Sequence, residues 1–212
     1  MSSASRSLLG PSKGKTTMSH RPSMFRTSFF AFGLALLASC ASTRDAVDAA
    51  EPVQFAAELQ VYPAGIVPGV QVQSAVGDQD LYYARVAGNF TDRQDFGDHD
   101  RETGHGFGLG AGWRHYLTPW TNRSEARPNG WQYGVRLDLF ALRISFRDPG
   151  PRFGHSNILV LQPSAEVGYG WSTPRLGRLE LNLGLGAEIN VNTDGEDVGE
   201  GAIALLGLTW IP

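Results

Sequence analysis

From residue 52 onward, apolar and polar side chains alternate with a period of two rather than 3.6. The segment LELNLGLGAEINV (179–191) is the clearest case. Leu179, Leu181, Leu183, Leu185, Ala187, Ile189 and Val191 fall on one face, and Glu180, Asn182, Gly184, Gly186, Glu188 and Asn190 on the other. Successive side chains of a strand point to opposite faces, so the pattern predicts a strand with one greasy and one polar side. ILVLQPSAEVGYGWS (158–172) repeats the scheme, with Leu159 to Trp171 opposing Gln162, Ser164, Glu166, Gly168 and Gly170. GFGLGAGWRHY (106–116) sets Phe107, Leu109, Ala111 and Trp113 against four glycines and Arg114, and WQYGVRLDL (131–139) sets Trp131 to Leu139 against Gln132, Gly134, Arg136 and Asp138. Near residues 140–142 the phase inverts, as a β-bulge or emergence of a strand from a membrane would produce.

Weaker alternation over 53–62, 69–76, 81–91 and 201–211 brings the expected number of strands to eight. Gly and Pro interrupt every window that would otherwise read as a helix. Gly77–Asp80 and Pro174–Arg178 are short turns, whereas 92–105, 148–157 and 192–200 read as longer polar loops. That arrangement predicts an all-β, eight-stranded, antiparallel up-and-down barrel with short turns at one end and long loops at the other. Segment 118–130 is the exception, a long connection at the short-turn end.

The first 39 residues read differently. They hold Arg6, Lys13, Lys15, Arg21 and Arg26 and no acidic residue, followed by the apolar run Phe29–Ala38. A run of that length, ending in small residues, is expected of an export signal rather than of a membrane-spanning helix. The first 17 residues add nothing a signal needs, so Met18 and Met24 are alternative starts. Leu37-Ala38-Ser39-Cys40 contains the single cysteine of the chain and resembles the lipobox of bacterial lipoproteins. The resemblance implies cleavage before Cys40, lipidation of its thiol, and a tether over 40–51 leading into a barrel domain over 52–212. Ala41, by the sorting preference of that family, implies the outer membrane. Without the leader's five basic residues, 13 of the 18 remain against 21 acidic ones, a formal charge of −8, which argues against a nucleic-acid partner.

Alternation alone does not say which face points inward. Three features favour an apolar exterior. Glycines crowd the polar face, where they would weaken a solvated strand but make room in a narrow lumen. The same face mixes Arg85, Arg114 and Arg136 with Glu58, Asp138, Glu166, Glu180 and Glu188, charges that a closed lumen would let pair. Trp113, Trp131, Tyr169, Trp171 and Trp210 lie near strand ends in the apolar phase, where interfacial aromatic girdles belong. Together with Gly-Tyr-Gly-Trp (168–171), Leu-Gly-Leu-Gly (183–186) and the terminal GLTWIP, these residues resemble the small outer-membrane β-barrels, typified by the OmpA transmembrane domain. That resemblance implies a transmembrane barrel in contact with membrane lipid and lipopolysaccharide, inserted by the outer-membrane assembly machinery. Gly207 and Trp210 fit the C-terminal assembly signal, while Pro212 stands where an aromatic is usual.

Candidate chemistry is sparse. FGHSN places His155 beside Ser156, a departure from the same-face His and Ser of lipid A deacylases of the PagL type, because adjacent strand residues point to opposite faces. The acidic stretches DFGDHDRETGH (95–105) and NTDGEDVGE (192–200) lack calcium-loop spacing, and no glycine-rich phosphate loop precedes a helix. No metal or cofactor site is expected. The sequence thus favours a non-enzymatic, lipid-anchored outer-membrane barrel with a side-chain-filled lumen and a structural or surface-binding role. The alternative is a lipid-anchored soluble barrel of the lipocalin type with its apolar face lining a ligand cavity; a deacylase-like barrel enzyme is the remote one.

Overall fold

The computed structural model describes residues 53–212 apart from 97–98, 121–126, 149, 151, 196–197 and 199; the leader, Cys40 and the tether lie outside the described residues. Eight strands follow in chain order: β1 (Gln54–Tyr62), β2 (Gly65–Val76), β3 (Asp80–Phe96), β4 (His99–Tyr116), β5 (Gly130–Arg147), β6 (Phe153–Thr173), β7 (Gly177–Asp194) and β8 (Gly201–Ile211). Each pairs antiparallel with its neighbours in sequence, and the ring closes where Ala57 meets Trp210 and Val61 meets Leu206. Full closure leaves the paired stretches without a sheet edge. Gly77 and Gly177 take φ of 73° and 75° in the β2–β3 and β6–β7 turns, a left-handed conformation other residues adopt only with strain.

The period-two pattern becomes a two-sided wall. On β5 every second residue from Gln132 to Phe146 is buried inside the ring, and the residues between them face outward. The outward positions from Trp131 to Ala141 are Trp, Tyr, Val, Leu, Leu and Ala. At ~3.3 Å per residue and a strand tilt of ~40°, that stretch is roughly 25 Å tall, the height of a bilayer's apolar band. At the same level the other strands present residues such as Val70, Val86, Leu109, Val167, Leu183 and Leu208, all well exposed. At its lower edge the band carries Tyr82, Trp131, Tyr133, Tyr169 and Trp210 on the surface, with Trp113 and Trp171 partly covered. Trp113 packs edge-on against Tyr133, and Trp131 against Tyr169.

Strands β3 to β7 continue beyond the band as a raised wall, whereas β1 and β2 stop at a tight turn and β8 begins late. Of the stretches read from sequence as loops, 92–105 belongs almost wholly to strands, with only 97–98 between β3 and β4, while 153–157 is the start of β6 and 192–194 the end of β7; 148–152 and 195–200 stay outside the strands. Likewise β2 begins at Gly65 rather than 69. Polar side chains obscured the extensions of β3, β4, β6 and β7, and Gly65, Pro68 and Gly69 obscured the start of β2, but backbone pairing depends on the neighbouring strand and not on side-chain polarity. No bulge accounts for the phase inversion at 140–142, since β5 pairs without a slip from Gly130 to Arg147. The one register shift of the β6–β7 ladder falls between Leu159 and Val160.

Candidate functional site

The interior is filled in layers, and the lower half is a cage of charge. Arg85 on β3 grips Asp138 on β5 with two hydrogen bonds, 2.8 and 3.1 Å, and also reaches Glu58 on β1. Arg114 on β4 spans to Glu166 on β6 at 2.7 Å and Glu180 on β7 at 3.1 Å. Arg136 lies between Asp138 at 2.9 Å, Glu58 at 3.4 Å and Glu166 at 3.4 Å. Arg178, at the start of β7, holds the other oxygen of Glu180 at 2.7 Å. Each of these four carboxylates meets at least two guanidiniums, and four arginines balance four acids. Such pairs recover the cost of leaving water only when geometry is good and charge is balanced; the cage balances its charge, while Arg114 Nη2, Arg136 Nε and Nη2, and Arg178 Nη2 are buried without a hydrogen-bond acceptor among the described residues. Tyr83 and Tyr116 add hydroxyl donors to Glu166 and Glu180, and Arg114 lies 4.5 Å over the Tyr83 ring.

Inward glycines make the cage possible. Gly106, Gly108 and Gly110 on β4 stand opposite Leu142, Phe140 and Asp138 on β5, while Gly112 meets the Tyr83 ring. A Cβ at any of these four positions would collide with the named side chain. Gly170 gives the same clearance to the Arg178 guanidinium.

Residues 118–120 and 127–130, the described parts of the connection that was anomalous as a turn, lie at the lower end. Trp120 and Arg127 are buried, with the Arg127 guanidinium 4.7 Å over the Trp120 ring and donating to Gln54 Oε1 at 2.6 Å. Arg178 donates to the carbonyls of Arg127 and Pro128, fastening this segment to the cage. The upper half is different. Phe140, Leu142, Ile144, Phe146, Ile158, Val160 and Leu205 form an apolar plug with Val198 of the β7–β8 connection folded over it. Asn190 holds that connection through Val198 O at 2.6 Å and Glu200 at 2.9 Å. Beside the plug, Arg93 pairs with Glu188 and lies 3.8 Å from Glu102.

All eight residues singled out as lumen-facing, Glu58, Arg85, Arg114, Arg136, Asp138, Glu166, Glu180 and Glu188, are buried inside the ring. The first seven share the cage; Glu188 belongs to the upper pair. Sequence reasoning missed Arg178, which it placed in a turn although it shares the phase of Glu180, and Arg93 and Glu102, hidden in a supposed loop. Arg127 carried no periodic signal at all. His155 is exposed and Ser156 buried, on opposite faces, so the two do not assemble a His–Ser pair. Among the described residues no group of three or more His, Cys, Asp or Glu is placed to hold a metal ion; Asp98, Glu196 and Asp197 lie outside them.

Two solved structures are similar to this chain. The N-terminal β-barrel domain of Pseudomonas aeruginosa OprF is 12% identical, with a TM-score of 0.44 over 77% of this chain and 99% of that one. Neisserial surface protein A (NspA) is 16% identical, with a TM-score of 0.42 over 74% and 94%. No protein-family model matches the chain, and neither does any curated protein sequence.

Proposed function

We propose that this chain is an integral outer-membrane β-barrel with a sealed lumen, serving a structural or surface-binding role and carrying out no catalysis. One observation carries the reading: the outward positions of the ~25 Å band contain no Asp, Glu, Lys or Arg, while the interior at the same level holds the four-arginine cage. A soluble barrel of the lipocalin type requires the reverse, with the leucine and valine face inside; here that face is outside. An eight-stranded ring is just wide enough for its own side chains, and the cage, the apolar plug and the buried side chains of Trp120 and Arg127 occupy it. Passive diffusion through the lumen is therefore not its role, and the raised wall of β3–β7 is the surface open to partners. Cys40 supplies a lipid anchor on the periplasmic side, where the short turns and the start of β1 lie. Insertion falls to the outer-membrane assembly machinery, for which the Gly207–Trp210 terminus is the recognition element.

The test is gel mobility of detergent-extracted protein with and without boiling, combined with alkaline carbonate extraction of outer-membrane fractions. Heat-dependent migration and carbonate resistance support the reading. Uniform migration, with release into solution once Cys40 is replaced, overturns it. In planar bilayers, step conductance from the purified barrel would refute the sealed lumen alone.

A further inference from the structure

The outer surface of the raised wall changes character within one row of residues. Phe107, Ala141 and Leu159, side by side on β4, β5 and β6, form the last apolar row. The next row is His105, Arg143 and Asn157, then Thr103, Ser145 and His155, then Arg101, Arg147 and Phe153. This three-strand patch is basic. Arg101, Arg143, Arg147, His105 and His155 are all exposed. Asp92 on β3 takes up Arg101 at 2.7 Å, and Arg147 lies 5.3 Å over the Phe153 ring. Among the described residues no carboxylate pairs with Arg143 or Arg147. Arg101 and Arg147 also stand directly opposite each other, a cross-strand placement of like charges that disfavours the sheet. The cage inside the same protein matches four arginines to four acids; this exterior patch has no such match.

We infer that this patch binds the phosphorylated headgroup of a glycolipid in the outward-facing leaflet, Arg143 and Arg147 taking the phosphates while acyl chains run down over Phe107, Leu109 and Leu139. The position selects a lipid over a soluble anion. The guanidiniums begin one row above the apolar band, where the phosphates of a lipid seated on that band would stand. Arginine matches phosphate with paired donors, and its weak hydration suits a half-wet boundary. The inference rests on the membrane reading above and adds to it a defined lipid site on one side of the barrel.

The test reconstitutes the full barrel into phosphatidylcholine vesicles containing a minor fraction of bisphosphorylated lipid A, and quantifies lipid A retained per barrel by native mass spectrometry after mild extraction. Wild type is expected to retain it, and the R143Q/R147Q double variant to bind about 30-fold more weakly, from ~1 kcal/mol per arginine near an anionic surface and ~1.4 kcal/mol per decade. Both substitutions lie outside the cage, and heat-dependent migration verifies that the variant is folded. Retention of dephosphorylated lipid A equal to the bisphosphorylated form, undiminished retention by the folded variant, or displacement by inorganic phosphate would each overturn the inference while the barrel stays inserted. Failure of both proteins to resist carbonate extraction would instead overturn the membrane reading, and this site with it.

Discussion

Replacing Arg114 by Met removes the guanidinium that ties β4 to β6 and β7 across the lumen. Arg114 is fully buried, with Glu166 at 2.7 Å, Glu180 at 3.1 Å and the Tyr83 ring at 4.5 Å. Removing one partner from a buried ion pair costs ~3–5 kcal/mol, because an uncompensated charge is left behind. Here neither carboxylate is stranded completely: Arg136 stays 3.4 Å from Glu166 and Arg178 stays 2.7 Å from Glu180. The expected loss is therefore at the lower end, about 3 kcal/mol, a sizeable share of a typical 5–15 kcal/mol total. The cage then carries one excess negative charge, and the second substitution Glu166→Gln removes it. In that double variant Arg136 keeps Asp138 and Glu58, Arg85 keeps both of its carboxylates, and Arg178 keeps Glu180. The double variant should recover at least ~1 kcal/mol relative to Arg114→Met alone, a coupling within the range for residues in one network. The assay is reversible urea unfolding of the barrel in lipid vesicles, followed by tryptophan fluorescence and by the heat-sensitive gel band. A loss below ~1 kcal/mol in the single variant, or a double variant less stable than the single one, would refute the view that charge balance holds the cage together.

Three further outcomes follow from the two faces of the wall and from the leader. Leu137→Arg, at mid-height on the outer face of β5, should destabilise the inserted barrel by ~2–4 kcal/mol, whereas Ser145→Arg on the projecting wall should change it by less than ~0.5 kcal/mol; equal effects in the same urea titration would contradict the position of the band. Gly112→Val drives a branched side chain into the Tyr83 ring and should cost ~1–3 kcal/mol or slow assembly, read from the fraction of heat-sensitive barrel after a fixed refolding time; unchanged yield and stability would show that the clearance is not needed. Cys40→Ser should abolish metabolic labelling by radioactive palmitate and leave the heat-sensitive band intact, and a variant that still takes up label would refute lipidation at that thiol.

The fold was legible because a strand with different media on its two sides writes that difference into every second residue. On β7, seven consecutive odd positions from Leu179 to Val191 are apolar, and no other regular structure accommodates such a run. Strand ends were less legible because the medium changes along a strand as well as across it. On β5, Ala141 is the last outward residue against the apolar band; Arg143, Ser145 and Arg147 continue the same face in water, while inside the charged cage gives way to Phe140, Leu142, Ile144 and Phe146. Both faces exchange character within a few residues, and the sequence shows an inverted phase where the backbone has none. Segments 92–96 and 99–105 were lost for a related reason: with water outside and a mixed polar interior of Arg93, His99 and Glu102, neither face keeps a uniform chemistry.

Arg127 and Trp120 were illegible for a different reason, since they close the lumen from a connection with no repeat to read, and only the unusual length of 118–130 hinted at a task. The inversion on β5 is itself informative. It fixes the height at which the outer face leaves the apolar band, the inward residues of β5 turn from the cage to the apolar plug, and Arg143 and Arg147 begin. A barrel whose inside and outside change at one level has a defined vertical position. Shifting that level, by substituting apolar residues for Arg143 and Arg147, should move the barrel relative to the bilayer before it unfolds it.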